Sequence, residues 1–161
     1  MVCAPGHLGR ETIGKNPQTE PVYKMWLSLV EKEEGRGYGG LSVAERVFYG
    51  VYLLDLEVYN GAFLQYFGNT EGRYADDLVA SLKTIGANET AARVERVFSS
   101  VFPQGVPVDA DARRDLALRM EDDYGQFELD LEALDDWYCQ DTDAIFPLLQ
   151  NYAGKHGFLV E

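Results

Sequence analysis

The sequence predicts an all-α protein, a single compact domain of about seven or eight helices. Apolar residues recur at intervals of three and four along most of the 161-residue chain, which is the period of an α-helix. No stretch shows the convincing alternation of apolar and polar residues that a half-buried β-strand requires. The length suits one domain, and a hydrophobic content of 46% is enough to form a core.

The chain begins with a segment that we expect to be a flexible tail, residues 1–19, followed by one helical domain over residues 20–161. The tail contains several glycine and proline residues and no long apolar run. From Pro21 to Glu33 the apolar residues fall on one helical face. The glycine-rich sequence GRGYGG, residues 35–40, is typical of a loop and predicts the end of this first helix.

The next predicted helix carries recognisable signals at both ends. Ser42 and Glu45 have the spacing of a capping box, in which each residue's side chain accepts a hydrogen bond from the other's backbone N–H. The pair Asn60-Gly61 favours a turn, so we expect it to interrupt the helix. The following AFLQYF, residues 62–67, then forms a short helix of its own.

The remaining elements follow from their capping residues. Tyr74 to Gly86 is amphipathic, and Gly86 stands where a C-terminal cap belongs. Asn88 and Asp109 are each predicted to cap the start of a helix, and Pro147 is expected near the start of the last one. Helical spacing predicts a largely buried core of Val47, Val51, Leu54, Phe63, Phe67, Leu78, Leu82, Val94, Phe98, Phe127, Leu131 and Leu134.

Charge is distributed very unevenly along the chain. The formal net charge is −13, and residues 120–161 carry eleven acidic residues and one basic residue, Lys155. Residues 1–119 are nearly balanced, with 16 acidic and 13 basic residues. Nucleic acids and anionic membranes attract positive surfaces, so this charge argues against direct binding to either and favours a basic partner.

Few residues are candidates for catalysis or metal binding. His7 and His156 belong to no metal-binding pattern, and Cys3 and Cys139 fit neither a disulfide framework nor a zinc site. We therefore expect a reducing, cytoplasmic location, no metal or other cofactor, and no enzymatic activity. No segment approaches the roughly 20 apolar residues of a membrane-spanning helix.

The acidic stretch, residues 120–143, is the candidate functional surface. In a helical conformation, the eight acids from Glu121 to Asp136 would carry one charge per about 3 Å, close to the 3.4 Å of one DNA strand. Trp137 is a possible apolar anchor for a partner. The charge alone fits recognition of a basic surface and simple solubility equally well. The predicted partner-binding face comprises Glu121, Asp122, Asp123, Glu128, Asp130, Glu132, Asp135, Asp136, Asp141 and Asp143.

One stretch resembles a known family signature. LEVYNGAFLQYFGNTEG, residues 56–72, is similar to the motif of the bacterial DNA-mimic protein family, whose core domain was long catalogued as of unknown function. The second glycine of that motif is Ala62 here, which puts any backbone role of this glycine in doubt. The resemblance extends over roughly residues 41–158. Its matching residues are Glu57, Asn60, Gly61, Phe63, Gln65, Tyr66, Phe67, Asn69 and Gly72.

The resemblance implies a function and leaves alternatives open. Proteins of this kind are all-α, often dimeric, and present a DNA-like surface to DNA-binding proteins. The motif itself has the composition of a structural element, so we assign it to the fold and the acidic residues to function. One alternative is an immunity protein that neutralises a basic toxin such as a nuclease. A second is an enzyme with a carboxylate site that no motif reveals.

Overall fold

The predicted all-α fold is confirmed in the computed structural model, which describes residues 20–122, 137, 138, 140 and 143–159. These residues contain no β-strand. The predicted tail, residues 1–19, lies outside them. The α-helices are α1 (Glu20–Arg36), α2 (Val43–Thr70), α3 (Ala75–Ile85), α4 (Asn88–Val101), α5 (Ala110–Asp122) and α6 (Ile145–Lys155), with a 3₁₀ turn at Tyr38–Gly40.

Helix α2 lies at the centre of the domain. It contacts α1, α3, α5 and α6, while α3 and α4 pair as a helical hairpin. Its apolar side chains face all of these neighbours, so both of its halves are largely buried. Every predicted core residue in the described ranges is buried: Val47, Val51, Leu54, Phe63, Phe67, Leu78, Leu82, Val94 and Phe98. Phe127, Leu131 and Leu134 lie outside those ranges.

Most of the predicted helix ends are confirmed. At the start of α2, Glu45 N–H donates to Ser42 Oγ (3.3 Å) and Ser42 N–H donates to Glu45 Oε2 (2.7 Å), which completes the capping box. Gly86 ends α3 in the left-handed conformation, with φ +94°. Ala112 N–H donates to Asp109 Oδ1 (2.8 Å) at the start of α5.

The predicted interruption at Asn60-Gly61, with a helical segment after it, is confirmed. Gly61 and Ala62 have non-helical backbone angles and helical geometry resumes after them, so α2 consists of two helical halves merged across a kink. This merger accounts for one of the missing helices relative to the predicted seven or eight, since six α-helices are present in the described residues. The predicted helical stripe that runs from Phe127 to Leu134 lies outside the described residues.

Ala62 occupies the backbone conformation that explains the family's glycine. Its φ is +67° and its ψ is −174°, a region that is essentially restricted to glycine. A β-carbon in this conformation costs of the order of 1–3 kcal/mol, which the surrounding packing must offset. The departure from the signature therefore places strain at the kink, while the kink itself is retained.

Candidate partner-binding surface

The structure describes the two ends of the acidic stretch. Glu121 and Asp122 are the last residues of α5, so the stretch begins as the continuation of a packed helix. Asp143 lies just before α6. The other predicted face residues, Asp123, Glu128, Asp130, Glu132, Asp135, Asp136 and Asp141, lie outside the described residues, and their role stays a prediction.

The helix that leads into the acidic stretch is fixed on the domain. Helix α5 packs against α2 and α4, and Ala117 is buried in that contact. Arg113 Nη1 donates to the carbonyl oxygen of Pro107 (3.0 Å), and Arg114 Nε pairs with Glu71 Oε1 (3.2 Å). Two arginines of α5 therefore bind within the domain, about two helical turns before the acidic residues begin.

Tyr138 fixes the other end of the acidic stretch to the core. It is 3% exposed, and its ring lies edge-on to Phe63 (centroids 5.8 Å apart) and Tyr59 (5.7 Å). Its hydroxyl donates to Asp55 Oδ1 (3.2 Å). A buried tyrosine with a satisfied hydroxyl is a strong attachment point, because the ring contributes apolar contact and the hydroxyl sets its orientation.

Trp137, the predicted partner anchor, already has a neighbour within the domain. Its side chain is half-buried, and the guanidinium carbon of Arg93 lies 4.0 Å from the centre of its ring. A cation–π contact at a partly exposed site contributes about 0.5–1 kcal/mol. Trp137 therefore helps to hold the end of the acidic stretch against α4, and its role as a partner anchor stays a prediction.

Asp143 has a structural contact that its sequence position did not suggest. Its Oδ2 accepts a hydrogen bond from the backbone N–H of Thr90 (2.6 Å), in the first turn of α4. The prediction that Asn88 caps this helix is wrong, because Asn88 is the first helical residue and makes no side-chain cap. A carboxylate at a helix N-terminus satisfies a free N–H and interacts favourably with the helix dipole.

Three polar residues of the signature bind one another across the kink. The carboxylate of Glu57 accepts from Gln65 Nε2 (2.6 Å) and from Asn69 Nδ2 (2.7 Å). Glu57 precedes the kink and the two amides follow it, so these bonds hold the halves of α2 in a fixed relation. Sequence reasoning identified the motif as structural without identifying this contact, which we call the Glu57 clamp.

Carboxylates near the start of α2 also have partners within the domain. Lys32 Nζ lies 2.7 Å from both carboxylate oxygens of Glu45. Desolvation tends to raise the pKa of Glu45, but the hydrogen bonds from Lys32 and Ser42 outweigh it and the net pKa is lowered. Asp77 accepts from Tyr38 (3.2 Å) and pairs with Arg46 (3.4 Å). These carboxylates act as parts of the fold.

Within the described ranges, no three His, Cys, Asp or Glu side chains are grouped so that they could hold a metal ion. No helix in the described part of the chain combines the length and apolarity needed to cross a membrane.

The helical fold, the acidic C-terminal quarter and the signature of residues 56–72 are together similar to the DNA-mimic family. Residues 39–156 match the DMP19-like protein family, so the chain belongs to that family, whose name refers to DNA mimic protein 19. The match covers most of the chain and contains the whole acidic stretch. Comparison with curated proteins and with solved structures gives no match.

Proposed function

We propose that this protein presents its acidic stretch as a DNA-like surface to a basic, DNA-binding protein, and that it inhibits or regulates this partner by occupying its DNA site. The observation that carries the proposal is the charge distribution: residues 120–161 hold eleven acidic residues and one basic residue, in a member of the DMP19-like family. The protein then acts as a binding module without catalytic activity.

The contacts of the described carboxylates support this proposal. Glu45, Glu57 and Asp77 each bind partners within the domain. The acidic stretch, by contrast, contains no Lys or Arg from Met120 to Asp143. Like charges at helical neighbour spacing destabilise by only roughly 0.2–0.5 kcal/mol per pair, so the fold tolerates this concentration of charge.

Complementary charge affects mainly the rate and selectivity of association. A negative surface accelerates the approach of a basic partner, and the effect decreases as salt screens charges beyond roughly 8–10 Å. The partner's arginine and lysine side chains, which bind phosphates in DNA, would bind these carboxylates instead. The same charge prevents the protein itself from binding DNA.

Two further features belong to the proposal. Family resemblance and the frequency of two-fold assemblies favour a homodimer, which would extend the acidic surface. Two cysteines that fit neither a disulfide framework nor a zinc site in the sequence favour a reducing compartment, the cytoplasm. Sedimentation at tens of micromolar, roughly the range in which a useful dimer persists, should show more than the 18.1 kDa species.

The decisive variant replaces Glu128, Glu132, Asp135 and Asp136 with Gln or Asn, which keeps side-chain shape and removes four charges. The partner is first isolated from native cell extract at low salt. Its affinity for the variant should fall at least about tenfold, equivalent to about 1.4 kcal/mol, mainly through slower association. Surface plasmon resonance at several salt concentrations would measure the association and dissociation rates separately.

A matched control removes the same number of charges elsewhere. Glu31, Glu34, Glu89 and Asp111 are exposed carboxylates on α1, α4 and α5, and their neutralisation should reduce binding much less. Equal losses in both variants would show that net charge alone matters and would contradict the mimicry proposal. DNA should compete with this protein for the isolated partner. If the partner is instead a toxin, and the surface that this protein covers does not bind DNA, the result would favour an immunity function.

A further inference from the structure

A groove on the α3–α4 hairpin combines an apolar floor with an acidic rim. It has a volume of about 200 Å³ and lies between the two helices and the loop that follows α4. Val79, Phe98, Phe102 and Val106 contribute apolar surface. Asp76 and Glu95, both exposed, also line it. The groove contains none of the residues of the acidic stretch.

The negative charge of the rim is only weakly compensated. Glu95 lies 3.5 Å from Lys83 Nζ, but these side chains are 57% and 52% exposed, so the pair contributes little. Asp76 makes no ion pair within residues 20–122. The groove therefore presents two carboxylates beside apolar side chains, of which Phe98 and Phe102 are largely buried, an arrangement that an apolar ligand alone would not satisfy.

We propose that this groove binds an arginine side chain of a protein partner. The aliphatic stem and planar guanidinium of arginine can lie over the apolar floor, while its N–H groups donate to Asp76 and Glu95. Arginine suits both surfaces at once, because it stacks on aromatic rings and donates in a fork to carboxylates. Arginine binding in the groove rests on the proposed function in one respect only, namely that the partner is basic.

An arginine bound in this groove would add one position-specific contact to an association with the partner that is otherwise driven by charge. Exposed carboxylates attract any basic surface, and so they discriminate poorly among basic partners. A single arginine held in a groove is sensitive to its position on the partner, and arginines are frequent among the residues that dominate binding energy. The groove would thus help this protein to select one basic partner among many.

The first experiment uses a small probe and needs no knowledge of the partner. The peptide acetyl-Gly-Arg-Gly-amide is titrated into the ¹⁵N-labelled protein, and amide chemical shifts are recorded. Shifts should concentrate at Val79, Phe98, Ser99 and Val106. The same peptide with citrulline, which keeps the shape of arginine without its charge, should shift these amides much less. Arginine-induced shifts confined to other surfaces, or equal shifts with citrulline, would overturn the inference.

Variants then test the groove in the whole protein. Asp76→Asn with Glu95→Gln should weaken peptide binding at least about tenfold, equivalent to about 1.4 kcal/mol. Ser99→Lys, at an exposed position of the groove, should weaken it through repulsion. The control Glu31→Gln with Glu34→Gln changes charge equally on α1 and should retain binding. Unchanged peptide binding in both groove variants would refute arginine binding in the groove and would leave the proposal for the acidic stretch intact.

Discussion

Two regions of this protein differ sharply in the balance of acidic and basic residues around their carboxylates. In residues 43–101, Glu45 pairs with a lysine, Glu57 holds two amides, and Asp77 accepts from a tyrosine and pairs with an arginine. Residues 120–161 carry eleven acids and a single base. In the first region, charged groups connect elements of the fold; in the second, the segment itself supplies only one base.

The comparison separates charges that stabilise the fold from charges that we propose for recognition. A carboxylate with internal partners is costly to remove, because its donors lose their acceptor. A carboxylate that repels its neighbours can be neutralised with little loss or a small gain in stability. Asp143 tests this division, because it belongs to the second region in sequence and behaves like the first in structure.

The largest expected effect comes from breaking the Glu57 clamp. Glu57→Ala removes two charge-assisted hydrogen bonds across the kink of α2, so the free energy of unfolding should fall by about 2–4 kcal/mol. Urea denaturation followed by circular dichroism would measure it. Glu31→Ala, at an exposed site on α1, is the control and should stay within about 0.5 kcal/mol of the native protein. Equal losses of unfolding free energy in Glu57→Ala and Glu31→Ala would contradict the distinction between carboxylates with internal partners and exposed carboxylates.

Ala62→Gly should stabilise the first region and leave recognition unchanged. Relief of about 1–3 kcal/mol of backbone strain should outweigh about 0.5–1 kcal/mol of glycine entropy, for a net gain of about 1 kcal/mol or slightly more. The melting temperature should rise, and partner affinity should not change. Ala80→Gly, at an exposed position within α3, is the control and should lower stability. A loss of stability at Ala62 would show that the kink is not strained.

The smallest effect is expected at Asp143. Asp143→Ala removes the acceptor for Thr90 N–H and should cost about 1 kcal/mol, whereas Asp143→Asn keeps an acceptor and should cost less. Partner association rates should change little in either variant. If Asp143→Asn slowed association as strongly as neutralising Asp135 or Asp136, Asp143 would belong to the partner-binding face as well.

Elements with local signals were predictable from sequence. The capping box at Ser42 and Glu45, the left-handed Gly86 and the cap at Asp109 each depend on residues within a few positions, and all are confirmed. Apolar spacing identified the described core for the same reason, because helical periodicity directly reports which face is buried.

The features that sequence could not predict depend on contacts distant in the chain. The cap of α4 comes from a residue 53 positions away, and local spacing wrongly favoured Asn88. Tyr138 reaches Asp55 across 83 positions. The interruption at Asn60-Gly61 was predicted from its turn-favouring residues, but the Glu57 clamp that joins both halves of α2 is visible only in three dimensions. Charge, by contrast, was evident from composition alone.

The contact between Arg93 and Trp137 has an optical consequence. The chain contains two tryptophans, and they lie in different surroundings: Trp26 is 8% exposed and stacks with Tyr52, whereas Trp137 is half-buried beneath a guanidinium, beside the acidic stretch. Indole emission responds to nearby charge and water, so Trp137 fluoresces from the place where a partner is proposed to arrive. In a Trp26→Phe variant, the intrinsic fluorescence of Trp137 alone would report occupancy of that surface, without an attached dye.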